Sequence, residues 1–239
     1  MFDGFTKTEI RDALELMYAV SYIDQAISDE EIAILACVAS IMNVSTTNWR
    51  PNLIDIDFVF KRLGEMEYSK IVRVITFVAQ LSMFDGELSL SELELLLPLA
   101  AEHGLTGNQL KKVVHRALNG NDLTDFDKII LYAMVMKAIY IDGVESAEER
   151  DFLVAMKKKY NLPANFHDLT LVDNFKWVLR MLKTYNKRKL KYLFKEVINV
   201  LISDNDFNDA EISFLIYLAK IYGIEQELPQ LLRQCLGVM

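Results

Sequence analysis

Apolar residues recur along this chain with the spacing of a helix. Ile10, Ala13, Leu14, Met17, Tyr18 and Ser21 mark one face in steps of three and four, the stripe of a core-facing helix. Thr6-Lys7-Thr8-Glu9 precedes it as a capping box, the Thr oxygen accepting the third helical amide while the Glu reaches back. Matching stripes run through Val72, Ile75 and Ala79, through Ile130, Ala133 and Met134, and through Leu193, Val197 and Val200. Those helices are predicted to begin near Ser69, Thr124 and Asn186. No stretch alternates apolar and polar residues as a strand would.

Each stripe runs into a short acidic motif, and a second helix leaves it. The four copies are Asp24 to Glu31, Asp85 to Glu92, Asp142 to Glu149 and Asp204 to Glu211, each reading Asp-x3-Ser/Asn-x2-Glu. Ser28, Ser89, Ser146 and Asn208 are N-caps, with Glu31, Glu92, Glu149 and Glu211 three residues later completing capping boxes. Nineteen residues after each Asp stand Asn43, Gly104, Asn161 and Gly223, followed by Val44, Leu105, Leu162 and Ile224. Gly or Asn in a left-handed conformation and then an apolar contact is a helix stop. Start and stop signals at one spacing define four αα-hairpins.

The four Asp residues lie 61, 57 and 62 residues apart, so alternate copies are offset by 118 and 119. A unit of two hairpins has been duplicated. Between hairpins, residues 43–66 and 161–184 each hold a loop, then Asp55 or Asp173 opening an amphipathic helix. Thr106-Gly107-Asn108-Gln109 caps a further helix, and the stretch from Glu225 to Leu236 mirrors it. About twelve helices result in an all-α fold, with Asn119-Gly120-Asn121-Asp122 joining a half of residues 1–120 to a half of residues 121–239.

The pattern Asp-Gly-x-x-Ser-x-x-Glu at the bend of a helical hairpin, with Ser82 one turn before it, resembles the TerB-like (tellurite-resistance B) domain. A similar domain stands at the cytoplasmic end of a membrane-anchored DnaJ-type co-chaperone. The resemblance spans the chain as two tandem or fused copies forming a duplicated helical bundle. Asp85 to Glu92 matches best and Asp142 to Glu149 next; Gln25 and Asn205 replace the Gly elsewhere, and Asn208 replaces the Ser. The likeness implies a non-enzymatic scaffold or sensor of bacterial stress response, with acidic bends that bind divalent cations.

Composition narrows the function classes. Four Pro and nine Gly in 239 residues suit helices throughout. A net charge of −8 excludes a nucleic-acid binder that needs a basic face. Residues 1–120 hold ten Lys+Arg against seventeen Asp+Glu, and residues 121–239 sixteen against seventeen. Two lone cysteines, Cys37 and Cys235, form no disulfide framework, and the N-terminus lacks a signal-peptide pattern. The longest apolar run, Ile129 to Ile141, contains Lys137 and is too short to span a bilayer. The expected location is the cytoplasm.

Two sets of charged residues are candidate sites. Asp24, Glu31, Asp85, Glu92, Asp142, Glu149, Asp204 and Glu211 are the candidate metal ligands, for Ca²⁺ or Mg²⁺. One motif offers two carboxylates, whereas a hard cation takes roughly six to eight oxygens, so two bends must meet to make a site. The alternative is purely structural: each Asp forms an Asx turn and each Glu completes a cap. Lys183, Lys187, Arg188, Lys189 and Lys191 form the second set. They open a helix where the dipole disfavours cations, and suit a protein partner or an anionic membrane surface. Three histidines, His103, His115 and His167, are not at zinc-ligand spacing, and no phosphate loop or nucleophile elbow is present.

Overall fold

The structure is a computed structural model, and it describes residues 2–23, 27, 29–45, 54–83, 89–120, 122–141, 147–162, 175–202 and 207–237. Among the described residues there are twelve α-helices and no strand. In chain order they are α1 (Lys7–Ser21), α2 (Asp29–Ile41), α3 (Ile56–Gly64), α4 (Tyr68–Ser82), α5 (Leu90–Glu102) and α6 (Gly107–Asn119). Then follow α7 (Asp125–Ile139), α8 (Ala147–Lys159), α9 (Lys176–Thr184), α10 (Lys187–Ile202), α11 (Asp209–Ile221) and α12 (Leu228–Leu236). The chain divides into two compact units, Met1–Phe126 and Asp127–Met239, the boundary falling in the first turn of α7.

The helix limits follow from local chemistry. Glu9 N donates to Thr6 Oγ1 at 3.2 Å, and Thr6 N donates to Glu9 Oε2 at 2.6 Å. Thr106 and Gln109 close the same box on α6, and Asp55 Oδ1 caps α3 through Phe58 N at 3.0 Å. Helices α4, α7 and α10 start at Tyr68, Asp125 and Lys187, each within a residue of its predicted start. Asp173 lies outside the described residues.

All four hairpins end as their Gly and Asn residues predict. Asn43 and Asn161 both have φ of 54°, Gly104 has 72° and Gly223 has 63°. The amides of Val44, Leu105, Leu162 and Ile224 then donate to Ala39, Ala100, Lys157 and Ala219 carbonyls at 2.8–2.9 Å. These six-to-one bonds, with the five-to-two bonds beside them, satisfy carbonyls the helix leaves open. Leu105, Leu162 and Ile224 are buried behind their turns.

In the first unit, α1 packs on α2, α3, α4 and α5, and α4 on α5 and α6. An ion-pair cluster ties α3 to α1: Arg62 Nη2 lies 2.6 Å from Asp12 Oδ1 and 3.1 Å from Glu15 Oε2. Burial pushes the Asp12 carboxyl up, against the pull of Arg62. In the second unit α7 is buried on every side from Ile129 to Met136, so it is a central helix rather than an amphipathic one. Helix α12 packs on α10, and Tyr222 of the α11 terminus donates to Leu179 O at 2.6 Å. No helix among the described residues is long and apolar enough to cross a membrane.

Candidate functional site

The acidic bends can be followed only in part. Asp24, Asp85, Asp142 and Asp204 lie outside the described residues. Their glutamate companions sit in the first turns of α2, α5, α8 and α11, Glu31 half-buried and Glu92, Glu149 and Glu211 buried. Glu92 Oε2 accepts from Ser89 N at 2.7 Å while Glu92 N donates to Ser89 Oγ at 3.1 Å. Glu211 Oε2 accepts from Asn208 N at 3.0 Å, and Asn208 Oδ1 takes the amides of Ala210 and Glu211. One oxygen of each of these two carboxylates is therefore committed to the backbone. Among the described residues no three His, Cys, Asp or Glu side chains gather as metal ligands. His103 Nε2 stands 3.3 Å from Leu63 O, His115 is exposed, and His167 lies outside the described residues.

The basic set divides. Lys183, Lys187 and Arg188 are exposed. Lys191 pairs with Glu227 at 3.0 Å. Lys189, expected on the surface, is instead in the core: its Nζ is 2.6 Å from Asp127 Oδ2, and the two side chains are 1% and 0% exposed. Tyr185 donates to the other oxygen of Asp127 at 2.6 Å, and its ring lies 5.0 Å from the ammonium. The reason is helical phase, since Lys189 belongs to the buried stripe of Leu190, Leu193, Phe194 and Val197. A signal for this was present: Asp127 and Lys189 stand 118 and 119 residues after Glu9 and Lys70, which pair at 2.8 Å in the first unit.

A concave feature among the described residues that sequence reasoning missed is a cleft of 240 Å³ between α8 and α10. Phe152, Ala155, Met156 and Val200 supply apolar walls, and Asn199 lies at its edge. Lys159, Tyr160 and Glu196 make up the polar end. Lys159 Nζ is 2.8 Å from Glu196 Oε2, and the Tyr160 hydroxyl donates to the same oxygen. Lys159 also lies 4.8 Å from the Tyr160 ring centroid.

Burial would raise the Glu196 carboxyl, but the hydrogen bonds from Lys159 and Tyr160 outweigh it and hold the group below its ordinary value. Tyr160 is pushed up to about 12 by burial and by the Glu196 carboxylate. Lys159 is displaced upward, burial opposing and Glu196 prevailing. At neutral pH the three are therefore a carboxylate, a phenol and an ammonium. The three groups hydrogen-bond to one another at the polar end of the cleft. No protein-family model, curated protein or solved structure matches the chain.

Proposed function

We propose that this chain is a non-enzymatic interaction module, similar to TerB-like domains, acting as a cytoplasmic scaffold or sensor in bacterial stress physiology. The observation that carries the reading is the α8–α10 cleft, an apolar seam left open beside an ion cluster whose charges are already matched. A volume of 240 Å³ is below the roughly 300–1,000 Å³ of small-molecule pockets, and it suits one large side chain of a protein partner. Most polar groups around the cleft bond to one another, so a partner gains area there without stranding buried charge. Placing a photo-crosslinking amino acid at Asn199 in living cells tests this. A discrete protein adduct from Asn199, absent from a control at exposed Lys112, supports the reading; the same smear from both positions overturns it.

Lys183, Lys187 and Arg188 favour a second reading, an adaptor for an anionic membrane surface, because one exposed cation ends α9 and two more open α10. It is the weaker one, since Lys189 and Lys191 are engaged by Asp127 and Glu227. Co-sedimentation with vesicles containing anionic lipid, unchanged by reversing those three charges, contradicts it.

A further inference from the structure

Helices α3 and α4 of the first unit and α9 and α10 of the second share one register, offset by the 119 residues that separate Lys70 from Lys189. Val59, Leu63, Ile71, Val74 and Val78 are buried in the first, and Val178, Leu182, Leu190, Leu193 and Val197 are buried at the matching positions of the second. Lys70 and Lys189 each pair with an acid in their own unit, Glu9 and Asp127. With the inward positions alike, the outward ones can be compared residue by residue.

The outward positions differ in the sign of their charge. Residues 57–72 hold three acids and three bases, but Arg62 is taken up by Asp12 and Glu15, and Lys70 by Glu9. Asp57, Glu65 and Glu67 stay exposed, with Lys61 the one base left exposed beside them. The matching residues 176–191 hold seven bases and no acid. Lys189 and Lys191 are engaged by Asp127 and Glu227, which leaves Lys176, Arg180, Lys183, Lys187 and Arg188 exposed. Asp57 thus stands where the second unit has Lys176, and Tyr68 and Ser69 stand where it has Lys187 and Arg188. Among the described residues, Asp57, Glu65, Glu67, Lys176, Lys183 and Arg188 enter no ion pair.

We propose that these two faces bind one another between copies of this chain, the acidic α3–α4 face of one copy seated on the basic α9–α10 face of a second. Charge complementarity selects that contact. Acidic on acidic, or basic on basic, sets like charges against each other and is repelled; only the unlike pairing attracts. Tyr68, 55% exposed and next to Glu67 in the chain, offers its ring to an incoming lysine or arginine. An anionic lipid surface would meet the basic face alone, whereas a second copy engages both. Because every copy carries both faces, the contact is heterologous and repeats into a string of copies or closes into a ring. The contact goes beyond the interaction-module reading and makes no use of the α8–α10 cleft.

The test is sedimentation velocity of the purified full chain over a concentration series, with no lipid present. At about 0.01 M ionic strength, where charges act over about 30 Å, the sedimentation coefficient is expected to rise with concentration. In about 1 M salt, where the reach is about 3 Å, it should return to the monomer value. Glu65→Lys with Glu67→Lys reverses the acidic face, and Lys183→Glu with Arg188→Glu reverses the basic one. Each double variant is expected to weaken association about tenfold or more, with the helical signal in circular dichroism unchanged. Mixing the two variants should restore association, since the intact basic face of one meets the intact acidic face of the other. All four substitutions in one chain should restore it as well. A chain that stays monomeric at low salt overturns the proposal, as does association that survives high salt or reversal of either face, or a mixture that fails to recover. Binding to anionic vesicles by a monomeric chain, lost on reversing Lys183 and Arg188, assigns the basic face to lipid and overturns it too. None of these outcomes alters the Asn199 crosslinking result, which tests the interaction-module reading separately.

Discussion

The buried pair of Lys189 and Asp127 gives the sharpest quantitative expectation. Replacing Lys189 by Met keeps most of the apolar stem but removes the ammonium 2.6 Å from Asp127, whose side chain is 0% exposed. Tyr185 still donates to that carboxylate, yet removing one partner of a buried pair costs about 3–5 kcal/mol. The equivalent Lys70→Met acts on a pair 17% and 21% exposed, where about 0–1 kcal/mol is expected. Asp127→Leu added to Lys189→Met should recover part of the loss, because it removes the stranded charge while the buried Tyr185 hydroxyl loses its acceptor. Urea unfolding measures this if the probe is local. Trp177 is buried in α9 of the second unit, and Trp49→Phe leaves it the sole tryptophan. A loss of about 1 kcal/mol or less for Lys189→Met, or no rescue in the double variant, would refute the reasoning.

Other expectations follow from the same geometry. Asn161 holds a left-handed conformation at φ 54°, so Asn161→Ala should cost about 1 kcal/mol by the Trp177 assay, with Asn161→Gly close to wild type. Ser89→Ala removes the acceptor for Glu92 N and should cost about 1 kcal/mol, seen as a lower melting temperature. Glu196 is held low by its hydrogen bonds against burial. The stability it contributes is complete above the unfolded value of about 4.3 and is lost as pH falls through the lower folded value. Glu196→Gln should flatten the acid limb of the second unit's stability profile. Millimolar Ca²⁺ or Mg²⁺ should leave the melting temperature unchanged, because Glu92 and Glu211 already give an oxygen each to backbone amides; a rise would assign the bends a cation.

Local chemistry was legible in the residues, and tertiary choice was not. A Gly or Asn followed by an apolar residue can do little else at a helix end, and Asn43, Gly104, Asn161 and Gly223 all adopt the left-handed stop. Capping boxes at Ser89 and Asn208 are similarly over-determined. Lys189 was misread because a run of basic residues reads as surface, although helical phase puts one of them inward. The cleft was hidden for a different reason. It exists because side chains on α8 and α10 leave a seam unfilled, a property of two helices together. Comparing Phe77 with Glu196 and Cys37 with Ala155 at the repeat offsets would have exposed it, since each exchange swaps a buried residue of the first unit for one at the cleft of the second.

The most direct measurement of the central claim is thiol accessibility at the equivalent positions of the two units. In a Cys235→Ser background, Ala155→Cys places a thiol in the second-unit cleft, while native Cys37 occupies the matching first-unit position and is 6% exposed. The account predicts rapid maleimide modification at position 155, with Cys37 modified only on unfolding. Slow modification at position 155, or modification of Cys37 as fast as at position 155, would contradict it.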